Sequence, residues 1–189
     1  MATVFTHALV GGALVVAAPA GVPRARLGVA LALLAVLPDA DVLAFRADVP
    51  YEHWLGHRGL LHSLPFAVLA GVLGAALAFP GLRRGSRAWW GVAGLLALAA
   101  ASHAVLDALT DGGLGVAFWL PFDDARYFLP WRPIPVSPLG VEAFFRGRGG
   151  EILTQEIRWI WLPTLAAAGT LALLRRHQRS RSRNESMRR

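Results

Sequence analysis

Five apolar runs, at residues 3–19, 27–45, 64–80, 88–106 and 159–174, constrain this chain of 189 residues more than any other feature. Each is near the lower limit of the roughly 17–25 residues that a bilayer-spanning helix needs. With 55% hydrophobic and only 16% charged residues, the chain reads as an all-α integral membrane protein of about five transmembrane helices, four or five in all. The runs are spaced throughout the chain, which predicts one membrane-embedded domain over 1–174 and an Arg-rich tail over 175–189, cytoplasmic and disordered. The first run, "VFTHALVGGALVVAAPAG", ends like a secretory cleavage site. It lacks the positive leading segment of a signal peptide and is read as a retained helix carrying His7.

Residue types that are missing exclude whole chemistries. There is no cysteine and no lysine, which removes disulfides, thiolate nucleophiles, cysteine zinc sites and Schiff-base chemistry. Seven of the nineteen arginines lie in the last fifteen residues, "RRHQRSRSRNESMRR". No aromatic residue interleaves that tail to stack on bases, so it reads as a cytoplasmic anchor and no nucleic-acid partner is expected. Arg24, Arg26, Arg83, Arg84, Arg87 and the tail then fall on one side of the membrane with a net charge of +11, against −4 on the other. Arginine-rich loops stay inside, which predicts the amino terminus outside and the carboxyl terminus in the cytoplasm.

That orientation collects the titratable residues on the outer face. His7 lies near the outer end of the first span, Asp39 and Asp41 at the end of the second, and His53, His57 and His62 in the loop before the third. His103, Asp107 and Asp111 lie at the outer end of the fourth, and only His177 falls on the other side. In "SHAVLDALTDGG", His103, Asp107 and Asp111 are four apart, a spacing that puts side chains on one helix face. It suits either a simple His to Asp hydrogen bond or a shared metal, and ionisable groups at a membrane span favour a functional site. In "LPDADVL", Pro38 disturbs the helix end and opens a polar segment. Asp39 and Asp41 there either mark a boundary, pair with Arg46 and Arg58, or line a cavity. In "GHRGLLHSLPF", Ser63 and Pro65 suit a helix start. His57 and His62, five apart, suit a loop rather than one helix face. Arg58 suits either a planar anion or a salt bridge to Asp41 or Glu52. His53 and Asp111 are left open as ligands.

Between Gly112 and Arg158 the chain is rich in proline and aromatic residues without an apolar run. It reads as an interfacial outer loop, with Trp119, Trp131, Trp159 and Trp161 suited to headgroup depth. No nucleophile elbow or phosphate-binding glycine loop occurs. Imidazoles and carboxylates without sulfur suit a divalent metal, zinc first, then manganese or iron, as one or two ions.

The ordered motifs "FTHALVG", "LPDAD", "HRGLLHS", "HAVLDALTDGG" and "LPFDDARYF" resemble the LexA-regulated, membrane-bound metal-dependent hydrolase family over about residues 1–140. A more distant similarity is to the zinc-dependent phospholipase C and P1 nuclease superfamily, through the His-x-x-x-Asp pair "HAVLD", the early His7 and Asp39 or Asp41. The second such pair of that superfamily is not found here. The first resemblance implies an inner-membrane protein in which His7, Asp39, His57, His62, His103 and Asp107 hold metal, with Asp41 and Arg58 beside them.

The expectation is a hydrolase of a phosphoester or related bond in a lipid or lipid-linked substrate at the outer face of the cytoplasmic membrane. In it Arg58 stabilises developing negative charge and Asp41 acts as general base or bridging ligand. The rival is a non-enzymatic metal-binding membrane protein with a transport or envelope structural role. A transporter places ionisable residues near the middle of its spans, whereas these cluster at one end.

Overall fold

The structure, a computed structural model, describes residues 1–138 and 140–187. It is helical: α1 (Val4–Ala13), α2 (Arg24–Val36), α3 (Leu64–Ala78), α4 (Arg87–Ala108), α5 (Val141–Arg146), α6 (Gly149–Glu156) and α7 (Leu162–Met187). Among the described residues there is no strand, only isolated bridges joining Thr110 to Ile134 and Val116 to Tyr127.

Three continuous helical stretches are long and apolar enough to cross a membrane: Arg24–Ala47, Arg87–Ala108 and Gly149–Gln178. Two shorter apolar ones, Val4–Ala17 and Leu64–Ala78, extend roughly 20 Å at about 1.5 Å per residue, short of a hydrocarbon core of about 30 Å. The five apolar runs are therefore five helical elements, three of full span and two shorter. The final one begins well before its apolar run, because α6 and α7 are joined through a π-helical turn at Ile157–Trp161, just before Pro163. Proline cannot supply an amide to the regular ladder, and a widened turn is a common local solution. Helix α7 then continues to Met187, where the sequence alone suggested a disordered tail.

Local signals start three of the helices. Thr3, Ser63 and Ser86 cap α1, α3 and α4, each side chain accepting from the amide three residues on, which satisfies an otherwise free donor. Pro65 sits in the first turn of α3, where its missing amide costs nothing.

Helix α4 is the axis of the bundle and packs on α1, α2 and α3. Its buried face, Val92, Ala93, Leu96 and Ala99, meets Leu27 and Leu31 of α2 and Ala75 of α3 in one core cluster. Small residues set the spacing, as in other lipid-embedded bundles. A Cβ on Gly71 would stand 2.5 Å from Ala97 N and 2.6 Å from Ala93 O, so α3 approaches α4 as closely as backbone permits. The outer surfaces are greasy: Val29 and Leu33 on α2, Leu69, Leu73 and Leu77 on α3, and Leu165 and Leu173 on α7 are exposed. Charge is partitioned the other way. Arg58, His7, His62, His103, Asp107 and Glu156 are all at most 1% exposed. This inside-out distribution is what a lipid solvent selects.

Candidate metal centre

The site begins where α2 fails. Pro38 enters just after Val36, and the chain tightens into a 3-10 segment, Leu37–Ala47. That segment lifts Asp39 and Asp41 out of the helical register and ends at Asp48 in a left-handed conformation. A connecting loop then leads to His57 and Arg58, and a short 3-10 turn, Leu60–His62, delivers His62 immediately before α3. Helix α4 brings His103 and Asp107, and α1 brings His7.

These side chains converge at one end of the bundle. Asp39, His62, His103 and Asp107 each offer a ligand atom such that all four lie within 4.8 Å of one another. His103 Nε2 is 3.3 Å from Asp39 Oδ1 and 4.0 Å from Asp107 Oδ2, and His62 Nε2 is 3.5 Å from Asp107 Oδ2. His7 adjoins the group, with Nε2 3.4 Å from Asp107 Oδ1 and its ring stacked on that of His103 at 3.6 Å between centroids. Asp41, His57 and His62 form a second group that shares His62.

Whether this set suits a metal is decided by what its polar atoms lack. Both nitrogens of His7 and His62, Nε2 of His103 and both oxygens of Asp39 are buried and make no hydrogen bond among the described residues. Buried polar groups are paired almost without exception, and an unpaired one costs about 1–3 kcal/mol. Three imidazoles gathered around Asp107 and the Asp39 carboxylate beside them, left this way, fit a divalent cation, and nitrogen and oxygen donors suit zinc, manganese or iron.

Around them the polar atoms are fully used, as metal ligands are commonly held. His103 Nδ1 donates to Ala35 O at 2.7 Å, which leaves Nε2 as the free lone pair. Asp41 Oδ1 is 2.7 Å from His57 Nδ1, and its Oδ2 accepts the Arg58 amide at 3.0 Å. That same oxygen lies 2.9 Å from His62 Nδ1, off the line of a hydrogen bond. Burial opposes the charged form of His62, but the carboxylates of Asp107 and Asp41 outweigh it and raise its pKa to about 9. A bound cation therefore competes with a proton there.

Arg58 is the hub of this outer layer. It adopts φ +61°, a left-handed conformation uncommon outside glycine. From there Nε donates to Asp107 Oδ2 at 3.0 Å, Nη1 to Gly112 O at 2.8 Å and Nη2 to Thr110 Oγ1 at 2.9 Å. The backbone amide of Ala2 donates to Asp107 Oδ1 at 2.8 Å.

Of the residues singled out in the sequence, His7, Asp39, Asp41, His57, Arg58, His62, His103 and Asp107 all meet here. His53 and Asp111 do not. His53 is exposed and accepts from Leu55 N, and Asp111 Oδ1 accepts from Val136 N to pin the loop that follows α4. His177 lies far along α7, in the tail.

One residue was not anticipated. Glu156, fully buried on α6, accepts from Thr3 N at 2.6 Å, Thr3 Oγ1 at 2.5 Å and Thr6 Oγ1 at 2.7 Å. Trp161 Nε1 donates to the same Thr6 hydroxyl at 2.6 Å. This clasp holds the segment that carries Ala2 to Asp107 and His7 to the cluster. Its signal was an acid three residues before the last apolar run, in "TQEIRWIW", and it becomes conspicuous only once the helix is seen to start at Gly149.

A cavity of about 530 Å³ opens beside the cluster and reaches it through Asp39. Val4, Phe5, Val42, Phe45, Phe144 and Phe145 supply most of its apolar wall, and Arg46 stands in its lining. Asp39 is the only member of the four-residue set that lines it, and its side chain keeps 11% exposure.

The chain as a whole is similar to known proteins. The family model described as "YdjM inner membrane protein" matches residues 1–179. Inner membrane protein YbcI of Escherichia coli (strain K12) is 37% identical over 177 residues, which is 93% of this chain and all of that protein. No solved structure matches.

Proposed function

The chain belongs to the YdjM inner membrane protein family, and on that premise we propose that it is a membrane-bound, metal-dependent hydrolase acting on a phosphoester or related bond of a lipid or lipid-linked substrate. The observation that carries the reading is the buried set of unpaired imidazole and carboxylate atoms, set beside an apolar cavity at the end of a lipid-embedded bundle.

In this reading His7, His62, His103, Asp39 and Asp107 hold one divalent cation, zinc by preference. Such a cation lowers the pKa of water and polarises a phosphoryl or carbonyl oxygen, which is the chemistry hydrolysis requires. The rest is the work of this chain. The Ala35 carbonyl fixes the tautomer of His103. Arg58 and the Ala2 amide hold Asp107 from two sides. Asp41, with both oxygens already engaged, orients His57 and stands behind His62. Asp39 makes no hydrogen bond among the described residues, with His103 Nε2 at 3.3 Å beside it, and lines the cavity, so it is the carboxylate placed to accept a proton from the reacting group. Arg58 spends its side-chain donors inside the protein, so its part is to position Asp107 and to balance its charge.

That engagement of Arg58 also favours a second reading, a metal-binding membrane protein without catalysis, since the cluster then has no cation of its own to stabilise a leaving group. The two separate in one experiment. Purified protein loaded with zinc or manganese is assayed for release of phosphate or headgroup from mixed inner-membrane lipids, beside Asp39→Asn. The hydrolase reading expects metal-dependent turnover lost in the variant. Stoichiometric metal with no turnover on any lipid class favours the second reading.

A further inference from the structure

The cavity beside Asp39 combines three properties in one stretch of chain. The 3-10 segment Leu37–Ala47 carries a candidate metal ligand, Asp39, two apolar wall residues, Val42 and Phe45, and a cation, Arg46, within eight residues. Phe144 and Phe145 of α5 and Phe5 of α1 also line it, and Phe5 and Phe145 are 54% and 74% exposed. Exposed phenylalanines on a lipid-embedded chain make the wall continuous with the acyl phase. Among the described residues no carboxylate lies within ion-pair distance of Arg46, whereas each side-chain nitrogen of the buried Arg58 donates within the protein. The pocket is thus greasy along its walls, has one unpaired guanidinium, and meets the metal centre at one point. Its volume lies in the range of sites that take small organic ligands.

We propose that this cavity receives an acyl chain of an anionic phospholipid and that Arg46 holds the phosphate of its headgroup, next to Asp39. The proposal rests on the hydrolase reading and names its substrate class and a specificity residue. A guanidinium matches phosphate by paired hydrogen bonds. The aromatic and aliphatic walls exclude a sugar or a free nucleotide, which would leave its polar groups unpaired there.

The test is photo-crosslinking in nanodiscs, which requires no turnover. Full-length protein is reconstituted in phosphatidylcholine containing a small fraction of phosphatidylglycerol with a diazirine on one acyl chain, and labelled peptides are mapped by mass spectrometry. Labelling is expected to concentrate on the segments around Val42 and Phe144 rather than on the lipid-facing residues Leu73 and Leu165. Arg46→Gln is expected to reduce that labelling about tenfold, the loss of one charge-assisted contact, with Arg46→Lys recovering part of it. Val42→Trp, which fills the cavity, is expected to abolish it. Even labelling over all lipid-facing helices, or labelling indifferent to Arg46→Gln and Val42→Trp, overturns the proposal. Metal content measured on the same samples keeps the two readings apart. Cavity labelling without bound metal sinks the hydrolase reading alone, and bound metal with uniform labelling sinks the lipid site alone.

Discussion

Asp39 and Arg58 mark the two kinds of polar residue in the cluster. Arg58 is buried with every side-chain nitrogen engaged, and Asp107 depends on it. Removing one partner of a buried pair costs about 3–5 kcal/mol. Arg58→Ala is therefore expected to lower the thermal transition of detergent-solubilised protein sharply even with metal chelated, and an unchanged melt would contradict the role assigned to it. Asp39 makes no hydrogen bond among the described residues and has His103 Nε2 at 3.3 Å beside it. Asp39→Asn is expected to leave the metal-free protein folded and close to wild type in stability, because no hydrogen bond is lost, while metal affinity falls. A calorimetric melt in chelator, paired with a metal titration, checks both halves. At this scale the sequence was informative about which residues matter and less so about what each does. The four-residue spacing of His103 and Asp107 survived as a shared helix face. The same spacing continued the row to Asp111 only if the helix persisted, and it ends at Ala108, so Asp111 turns to the loop that follows. Whether Asp41 or Asp39 was the hydrogen-bonded carboxylate depended on where the Arg58 amide would point, which a left-handed backbone at one residue decides.

Helix starts were legible because they rest on local chemistry. Ser63 and Pro65 begin α3 as their types require, and Pro38 ends the α-helical part of the second span. The last helix was not legible in full, because α6 is polar on part of its surface and buries Glu156 by a tertiary clasp to α1. That clasp supports the amino-terminal segment whose amide binds Asp107. Glu156→Ala is expected to weaken metal binding about tenfold, as loss of supporting contacts around a metal commonly does. A titration showing wild-type affinity would place the clasp outside the site's support. Helix contact is equally testable. Gly71→Leu forces a side chain against the backbone of α4, and overpacking of this kind costs about 1–3 kcal/mol. A lower melting temperature is the expected result, with metal content preserved at temperatures below it.

For the whole molecule, a cluster of ionisable groups at one end of an apolar bundle defines a sidedness. We propose that the cluster and the outer loop face away from the cytoplasm, because the arginines concentrate beyond the opposite helix ends. The chain contains no cysteine, so single-cysteine variants report sidedness cleanly. In intact cells Ala125→Cys is expected to react with an impermeant maleimide and Ser180→Cys only after lysis, and the reverse pattern would invert the orientation. Above orientation stands the question of what the buried donors hold. Elemental analysis of purified protein, wild type beside His103→Ala, answers it most directly. The account expects one divalent transition metal per wild-type chain, lost in a variant that still folds as judged by its circular dichroism. Metal absent from the wild type even after reconstitution, or retained at full occupancy in His103→Ala, would contradict it.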